Sequence, residues 1–287
     1  MAERTPRLIY LMISVILVSA GCRPSPPGVP PADVRVVRVD VLPTDPDDGV
    51  WESAPEHIAP LLLQDQVEPR QMEVSTAAVR VRAVTAGDRV VFRLEWADPT
   101  RDDQPGQADF SDACSVQLPA VAEPTLPAPQ MGEPDRRVEI TFWTAAWQAI
   151  VDGRGDSLRD LYPGAVVDHY PHEAPPLQAD PATQREFETR YAPARALGNT
   201  MGGPRQAPVE DLIAEGPGTL SPAPSSDSRG RGRHTGEGWS VVLSRRLPAG
   251  WTQERGSQVA FAVWQGDGGE VGGRKMRTGW IPLVQVP

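Results

Sequence analysis

Proline is frequent enough in this chain to restrict the choice of fold. The sequence holds 32 prolines, and each one removes a backbone donor and clashes with the preceding helical turn, so most long helices would be interrupted. Helical periodicity is weak, whereas alternation of apolar and polar residues recurs along the chain. The sequence therefore predicts an all-β fold, an antiparallel β-sandwich with long loops and few short helices.

The strand patterns are clearest where valines alternate with arginines. Residues 79–84 and 90–96 both alternate, and the Gly87 turn between them predicts a β-hairpin. In all, we predict strands at 34–41, 79–84, 90–96, 113–118, 138–143, 239–245, 259–264 and 280–286.

The pattern indicates one large domain over 34–287, interrupted by an irregular insertion at about 153–238. This insertion is rich in Pro, Gly and Arg, and within it 221–238 is the most extreme part, which we expect to be a mobile loop. A second long connection, 119–134, contains Met131. Long loops on a rigid sandwich are where binding sites are usually built.

The N-terminus is typical of a lipoprotein signal. A short basic region and an apolar stretch too short to span a bilayer precede small residues and Cys22, so we expect residues 1–21 to be removed and Cys22 to be acylated. Residues 22–33 then form a Pro-rich tether. The protein would lie on the periplasmic side of the cytoplasmic membrane, held only by its lipid; ordinary signal cleavage would instead release it into the periplasm.

Charge and cysteine content exclude several classes of function. The net charge is −10 at pH 7, which argues against binding to nucleic acid. After Cys22 only Cys114 remains, so an internal disulfide and a Cys-based metal site are excluded, and no motif for covalent haem attachment is present. Cys114 alternates with apolar residues and is interpreted as a small buried residue.

Lysine occurs once, at Lys275, among 28 basic residues. A lysine amine can lose its proton when buried and offer a lone pair, whereas a guanidinium stays protonated. Lys275 therefore marks either a position where arginine would fail, such as a metal ligand, or a surface residue that escaped the bias toward arginine.

Methionine could supply a second soft ligand. Met72, Met131, Met201 and Met276 are the candidates downstream of the signal. Met276 follows Lys275 directly and would point the other way in an extended segment. Met131 sits in a Pro- and Gly-containing loop where a core-filling methionine would be unusual, although packing is the commoner use of methionine.

Two other groups could bind a cation. His169, His172 and Glu173 lie close together, but Pro171 precludes a regular helix that presents them on one face, so surface residues are the simpler interpretation. His57 and His234 are isolated, and no nucleophile motif is present.

An acidic cluster follows the strand at 90–96. It comprises Asp98, Asp102, Asp103, Asp109 and Asp112. Such a cluster could hold a cation, but a turn at Asp98 followed by a solvated loop is the simpler interpretation.

Eight tryptophans in a secreted β-protein leave a carbohydrate-binding sandwich open as an alternative function. That function would need several aromatic rings exposed on one surface. Five of the tryptophans lie within or at the ends of apolar strands, where core packing is the simpler use: Trp96, Trp143, Trp239, Trp264 and Trp280.

A series of motifs, each weak alone, occurs in a characteristic order from about Trp51 to the end. They lie at 96–100, 110–113, 117–119, 131–132, 142–148, 238–243 and 259–264, followed by Lys275, with further similarity around Asn199 and at 210–220. In this order they resemble the haem-binding gamma subunit of the ethylbenzene dehydrogenase type, which also serves dimethylsulfide dehydrogenases and selenate, chlorate and nitrate reductases.

The resemblance implies a β-sandwich that holds one non-covalent haem b between an axial methionine and an axial lysine. Carried onto this sequence, the ligands are Met131, in the Met-Gly loop, and Lys275. It also implies an electron-transfer subunit with no catalytic residues, which relays electrons between a molybdenum-containing catalytic subunit, through an iron–sulfur subunit, and a carrier such as a soluble cytochrome c. The 221–238 stretch is more Pro-, Ser- and Arg-rich than the family pattern.

Overall fold

Two β-sheets dominate the structure. The computed structural model describes residues 32–104, 106–155, 158–164, 180–191, 193, 197 and 205–286. The strands are β1 (Val34–Arg38), β2 (His57–Pro60), β3 (Leu62–Leu63), β4 (Ala78–Ala86), β5 (Arg89–Ala97), β6 (Ala113–Pro119), β7 (Val138–Thr144), β8 (Val209–Ala214), β9 (Ser221–Pro222), β10 (Arg229–His234), β11 (Gly238–Arg246), β12 (Ser257–Trp264), β13 (Met276–Arg277) and β14 (Ile281–Gln285).

The first sheet has the order β10-β11-β5-β4-β1-β14, with β2 also paired to β4. The second has the order β12-β6-β7-β8-β9, with β13 on the free side of β12 and β3 beyond it. The start of β12 pairs with β14, so this strand joins the two sheets. All pairings between these strands are antiparallel except those of β1, which is parallel to both β4 and β14. The predicted all-β sandwich is confirmed.

The sandwich core forms where the alternating strands turn their apolar faces toward each other. Phe92 of the first sheet meets Phe261 of the second edge to face, with ring centroids 5.9 Å apart. Alternate residues of β6, including Cys114 and Val116, lie in the same cluster. The hairpin predicted around Gly87 is also confirmed, since Ala86 pairs with Arg89 across a two-residue turn.

Helices are few. A 3-10 turn covers Gly49–Ser53, and α1 (Ala145–Ala149) follows β7 and continues into a wider turn at Ile150–Arg154. Two further helices are α2 (Leu158–Leu161) and α3 (Pro181–Tyr191). Among the described residues, no helix combines the length and apolar character needed to cross a bilayer.

The segment predicted to be an irregular insertion contains helices and strands. The prediction of a mobile loop at 221–238 is wrong for residues 229–234, which form β10. This strand pairs along its whole length with β11. Its glycines are places of close packing: a Cβ on Gly232 would lie 2.1 Å from Trp143, and one on Gly230 would lie 2.3 Å from Val209. Gly230 and Gly232 therefore allow large neighbouring side chains to pack against the strand, and they do not mark a turn.

Candidate functional site

A cavity of about 690 Å³ opens on the outer face of the second sheet, opposite the sandwich core. The alternation of each strand divides its residues between the two sides. In β6, Ser115 and Gln117 line the cavity while Cys114 and Val116 lie in the core. The volume lies within the range of ~300–1,000 Å³ typical of small-molecule and cofactor sites.

Aromatic rings form one wall of the cavity. Phe142 makes edge-to-face contacts with Trp147 (centroids 5.4 Å apart) and with Trp264 (5.1 Å). Trp147 is also covered by Arg205, whose Cζ lies 3.6 Å from the ring centroid. Arg205 is in turn paired with buried Glu210 at 2.6 Å. Such a packed set of rings offers a rigid apolar surface to a flat ligand.

Lys275 lines this cavity and precedes β13 directly. Its Nζ lies 4.9 Å from the centroid of the Trp264 ring. Burial, with a smaller contribution from the charge of Arg277, lowers the pKa of Lys275 from 10.5 to about 8. The amine can therefore reach its neutral, lone-pair form closer to physiological pH than an exposed lysine can.

The segment before Lys275 is held by side chains from two directions. Trp264 Nε1 donates to the Gly272 carbonyl (3.1 Å), and Gln64 Nε2 donates to the Gly273 carbonyl (2.9 Å). Both donors approach backbone within three residues of Lys275, so the amine is presented by a fixed loop.

Met131 lines the same cavity from the β6–β7 connection. It packs on the outer cluster of the second sheet, which includes Ile140 and Leu212. Its φ of 67° lies in the left-handed region, which a non-glycine residue seldom adopts. Gly132 follows with φ 83°, and a Cβ there would meet the Ala214 and Arg136 carbonyls at 2.9 Å, so only glycine fits.

Two side-chain donors fix the Met131 loop. Gln117 Nε2 donates to the Pro129 carbonyl (3.0 Å), and Trp280 Nε1 donates to the Pro127 carbonyl (2.7 Å). Met131 and Lys275, 144 positions apart in the sequence, thus line one cavity, each on an anchored loop. Of the other methionines, Met72 is exposed, Met276 is buried in the core, and Met201 lies outside the described residues.

Sequence reasoning missed three charged residues of the cavity: Glu68, Glu270 and Arg277. Glu270 is 1% exposed and accepts hydrogen bonds from Gln71 Nε2 (2.7 Å) and from the Gln265 backbone N–H (3.0 Å). Burial raises the pKa of Glu270 above its usual range. Arg277 lines the cavity two residues after Lys275. The alternation of β13 could have identified Arg277 from the sequence, because residues 275 and 277 share one face.

The acidic cluster is only partly assembled. Ligand oxygens of Asp98, Asp102 and Asp112 lie within 4.8 Å of one another, whereas Asp103 is in contact with Arg154 and Asp109 is exposed on the cavity rim. The cluster is an anchor, not a solvated loop: Asp98 and Asp112 are fully buried.

Asp112 ties three segments of the chain together. Its carboxylate accepts hydrogen bonds from the Asp102 backbone N–H (2.8 Å), the Gly266 backbone N–H (2.9 Å) and Trp239 Nε1 (2.9 Å). Burial is the largest influence on this group, with repulsion from Asp98 adding to it, and together they raise the pKa of Asp112 from 3.8 to about 7.

The remaining candidates do not form a second site in the described part of the chain. Cys114 is buried and free, as predicted, and burial raises the pKa of its thiol well above the usual range. His57 is buried on β2. His234 has its ring nitrogens engaged by the Asp98 carbonyl (2.9 Å) and the Gly236 backbone N–H (3.2 Å). The grouping of His169, His172 and Glu173 lies outside the described residues, as do Asn199 and Cys22.

The tryptophans do not form an exposed platform for sugars. All eight lie within the described residues, and six of them are buried, while Trp251 and Trp280 are half-buried. The carbohydrate-binding alternative is therefore not favoured.

Comparison with known proteins identifies the family. The model of the family described as ethylbenzene dehydrogenase matches residues 48–276, which include Met131 and Lys275. The chain belongs to the ethylbenzene dehydrogenase family. This chain is similar to the chlorate reductase subunit gamma of Ideonella dechloratans. The two are 26% identical over 287 residues, which cover 95% of this chain and 93% of that protein.

A second relative comes from Haloferax mediterranei and is named for the haem subunit of a respiratory nitrate reductase. It is 24% identical over 289 residues, covering 97% of this chain and 82% of its own length. Among solved structures, a family 9 carbohydrate-binding module from Caldicellulosiruptor kristjanssonii in complex with cellotriose aligns with a TM-score of 0.42 and 8% identity, covering 88% of this chain and 94% of the module. That likeness is too distant to say anything about a ligand.

Proposed function

We propose that this member of the ethylbenzene dehydrogenase family is the haem b electron-transfer subunit of an oxidoreductase complex, with Met131 and Lys275 as the axial ligands. One observation carries the proposal. A single aromatic-walled cavity receives both a methionine thioether and the only lysine amine of the chain, whose pKa is lowered. The relatives named for a reductase gamma subunit and a reductase haem subunit support it.

The residues of the cavity fit a haem. The Phe142, Trp147 and Trp264 rings would pack against an apolar macrocycle, and methionine and a neutral amine are both competent iron ligands. Lysine binds a metal only after losing its proton, and the lowered pKa of Lys275 reduces the free energy of that loss. Among the residues that the structure describes, no cysteine lines the cavity, so a haem would be held without covalent attachment.

The bound haem would supply one-electron redox chemistry. Met131 and Lys275 would leave no open coordination position, which favours electron transfer over substrate turnover. The aromatic wall would exclude water from the iron, and the soft thioether of Met131 would favour the reduced state and raise the potential. The chain would thus act as a subunit without catalytic residues of its own.

The partners follow from the same proposal. Electrons would pass between a molybdenum-containing catalytic subunit, through an iron–sulfur subunit, and an external carrier such as a soluble cytochrome c. The complex would lie on the periplasmic side of the cytoplasmic membrane, where the acylated Cys22 would anchor this chain. The mass of the N-terminal peptide isolated from cells tests the anchor, since a fragment lacking the lipid contradicts it.

The proposal is tested by the absorption spectrum of the purified protein, before and after dithionite reduction, together with a pyridine haemochrome assay. We expect a Soret band and the haemochrome of haem b. Absence of a Soret band after expression with adequate haem supply would overturn the proposed function.

Ligand substitutions separate haem binding from the identity of the ligands. Lys275→Arg keeps the charge but removes the lone pair, and Met131→Leu keeps the apolar bulk but removes the sulfur. Each should alter the spectrum and the potential. Met72→Leu is the matched control, because Met72 is 63% exposed and lies outside the cavity wall. A native spectrum and potential in Lys275→Arg would refute that ligand even if haem is bound.

A further inference from the structure

Arg277 is directed to the same cavity as Lys275 by the register of β13. Met276, between them, pairs with Val263 and is fully buried in the sandwich core. Because consecutive residues of a strand point to opposite faces, Lys275 and Arg277 lie on the other face. Both line the cavity.

The Arg277 side chain has no hydrogen bond or ion pair to any residue that the structure describes, and its Nε is completely buried. The Nε atoms of Arg82, Arg93 and Arg154 are also buried without a partner, but the guanidinium of each of these residues is held through another nitrogen. Arg245 is paired with Glu139 at 2.9 Å, and Arg82 donates to the Ala54 carbonyl at 2.6 Å. Arg277 as a whole is half-buried, and a partly buried guanidinium without a partner is stabilised when an anion or acceptor reaches it.

The acidic side chains of the cavity wall do not fill this role. Glu270 is engaged by Gln71 and by backbone, and Glu68 pairs with Arg70 at 2.9 Å. Asp109, on the rim, is exposed and makes no ion pair with Arg277. Within the described residues, the cavity therefore presents one guanidinium whose donors are free for a ligand.

We propose that Arg277 forms a carboxylate-binding subsite of the cavity, which receives a propionate of the bound haem. The proposal rests on the proposed function and adds a contact that the axial ligands do not provide. A planar guanidinium presents a fork of donors that matches a carboxylate, and charge-assisted hydrogen bonds are among the stronger ones. Arg277 would thus set the orientation of the macrocycle in the cavity while Met131 and Lys275 hold the iron.

The test compares two ligands that differ only in their carboxylates: haem b and its dimethyl ester. Haem-free protein is titrated with each, and binding is followed by the Soret band. We expect the wild type to prefer the free acid by roughly ten-fold or more, the magnitude of one charge-assisted hydrogen bond. Arg277→Gln should bring the two affinities close together by weakening only the free acid.

Arg274→Gln is the matched control, because Arg274 is exposed and its side chain makes a single hydrogen bond, to the Arg70 carbonyl at 3.4 Å. It should keep the preference. If wild type and Arg277→Gln show the same preference, the subsite is wrong while haem binding stands; if the wild type binds neither ligand, the proposed function itself fails. Should Arg277→Gln not fold, the wild type alone decides: equal affinity for acid and ester overturns the subsite.

Discussion

Lys275 should destabilise the haem-free protein at neutral pH, and replacing it with methionine should therefore stabilise the fold. The perturbation is Lys275→Met, which keeps an unbranched side chain of similar length and removes the charge. Burial lowers the pKa of Lys275 from 10.5 to about 8. At ~1.36 kcal/mol per pKa unit, a protonated Lys275 would destabilise the fold by about 3 kcal/mol below pH 8.

Lys275→Met also removes one favourable contact, which reduces the stabilisation expected from this substitution. The protonated amine lies 4.9 Å from the Trp264 centroid, and a cation–π contact contributes roughly 0.5–1 kcal/mol. The net stabilisation by Lys275→Met at pH 6.5 should therefore be about 2 kcal/mol, and it should be seen in haem-free protein.

The stability of the wild type should depend on pH through Lys275. Between pH 8 and 10.5 the unfolded chain keeps the proton that the folded chain has lost, so the stability of the wild type rises with pH in this window. The advantage of Lys275→Met should shrink accordingly as the pH approaches 10.5.

The assay is urea unfolding of haem-free protein at pH 6.5 and pH 10, with Lys275→Arg as the control. Arginine stays protonated at both pH values, so this variant should show no such rise. Equal stability of wild type and Lys275→Met at pH 6.5, or an advantage that is the same at both pH values, would refute the reasoning.

Two further predictions concern the packing that supports the site. Gly232→Ala should destabilise the fold by roughly 1–3 kcal/mol in thermal or urea unfolding, because its Cβ would lie 2.1 Å from the fully buried Trp143 ring. Gly279→Ala is the control, because a Cβ at Gly279 would have no atom within 4 Å. Equal effects of the two substitutions would contradict the packing argument. The wild type should lose stability as the pH rises from about 4 to about 7, because the pKa of Asp112 is raised from 3.8 to about 7 in the folded state and its carboxyl stabilises the fold only while it is protonated. Asp112→Asn should not show this decrease. Unfolding free energies of both proteins across that window check this, and parallel pH profiles would show that Asp112 does not titrate there.

The strands were predictable because alternation records burial directly. Each of the eight predicted segments overlaps an observed strand, since valine in alternate positions marks the face turned toward the core. β10 was missed because the inner-facing positions of this strand are occupied by Gly230 and Gly232, where other strands have valine. These glycines leave space for the side chains of Val209 and Trp143. A pattern based on apolar residues does not register a strand whose inner face is empty of side chains.

The candidate site was predictable to a lesser extent. Composition and loop context made Lys275 and Met131 candidates, but only the resemblance paired them, because the loops that carry them have no periodic pattern that places them. Their shared cavity depends on pairings such as that of β12 with β6, between residues far apart in the sequence. The buried acidic cluster was interpreted as solvated for a similar reason: the donors that stabilise Asp112 come from residues as distant as Trp239 and Gly266.

The second sheet couples the stability of the fold to the geometry of the site, because its two faces serve different purposes. In β13, Met276 anchors the strand in the core while its neighbours, Lys275 and Arg277, line the cavity. A slip of one residue would turn methionine outward and bury two positive charges in the sandwich. Thr278 opposes that slip, because its backbone N–H donates to the Phe261 carbonyl (2.9 Å) and its Oγ1 accepts from the Phe261 N–H (2.9 Å). The core contact that holds Met276 is therefore also what holds the proposed iron ligand and the proposed carboxylate subsite in register.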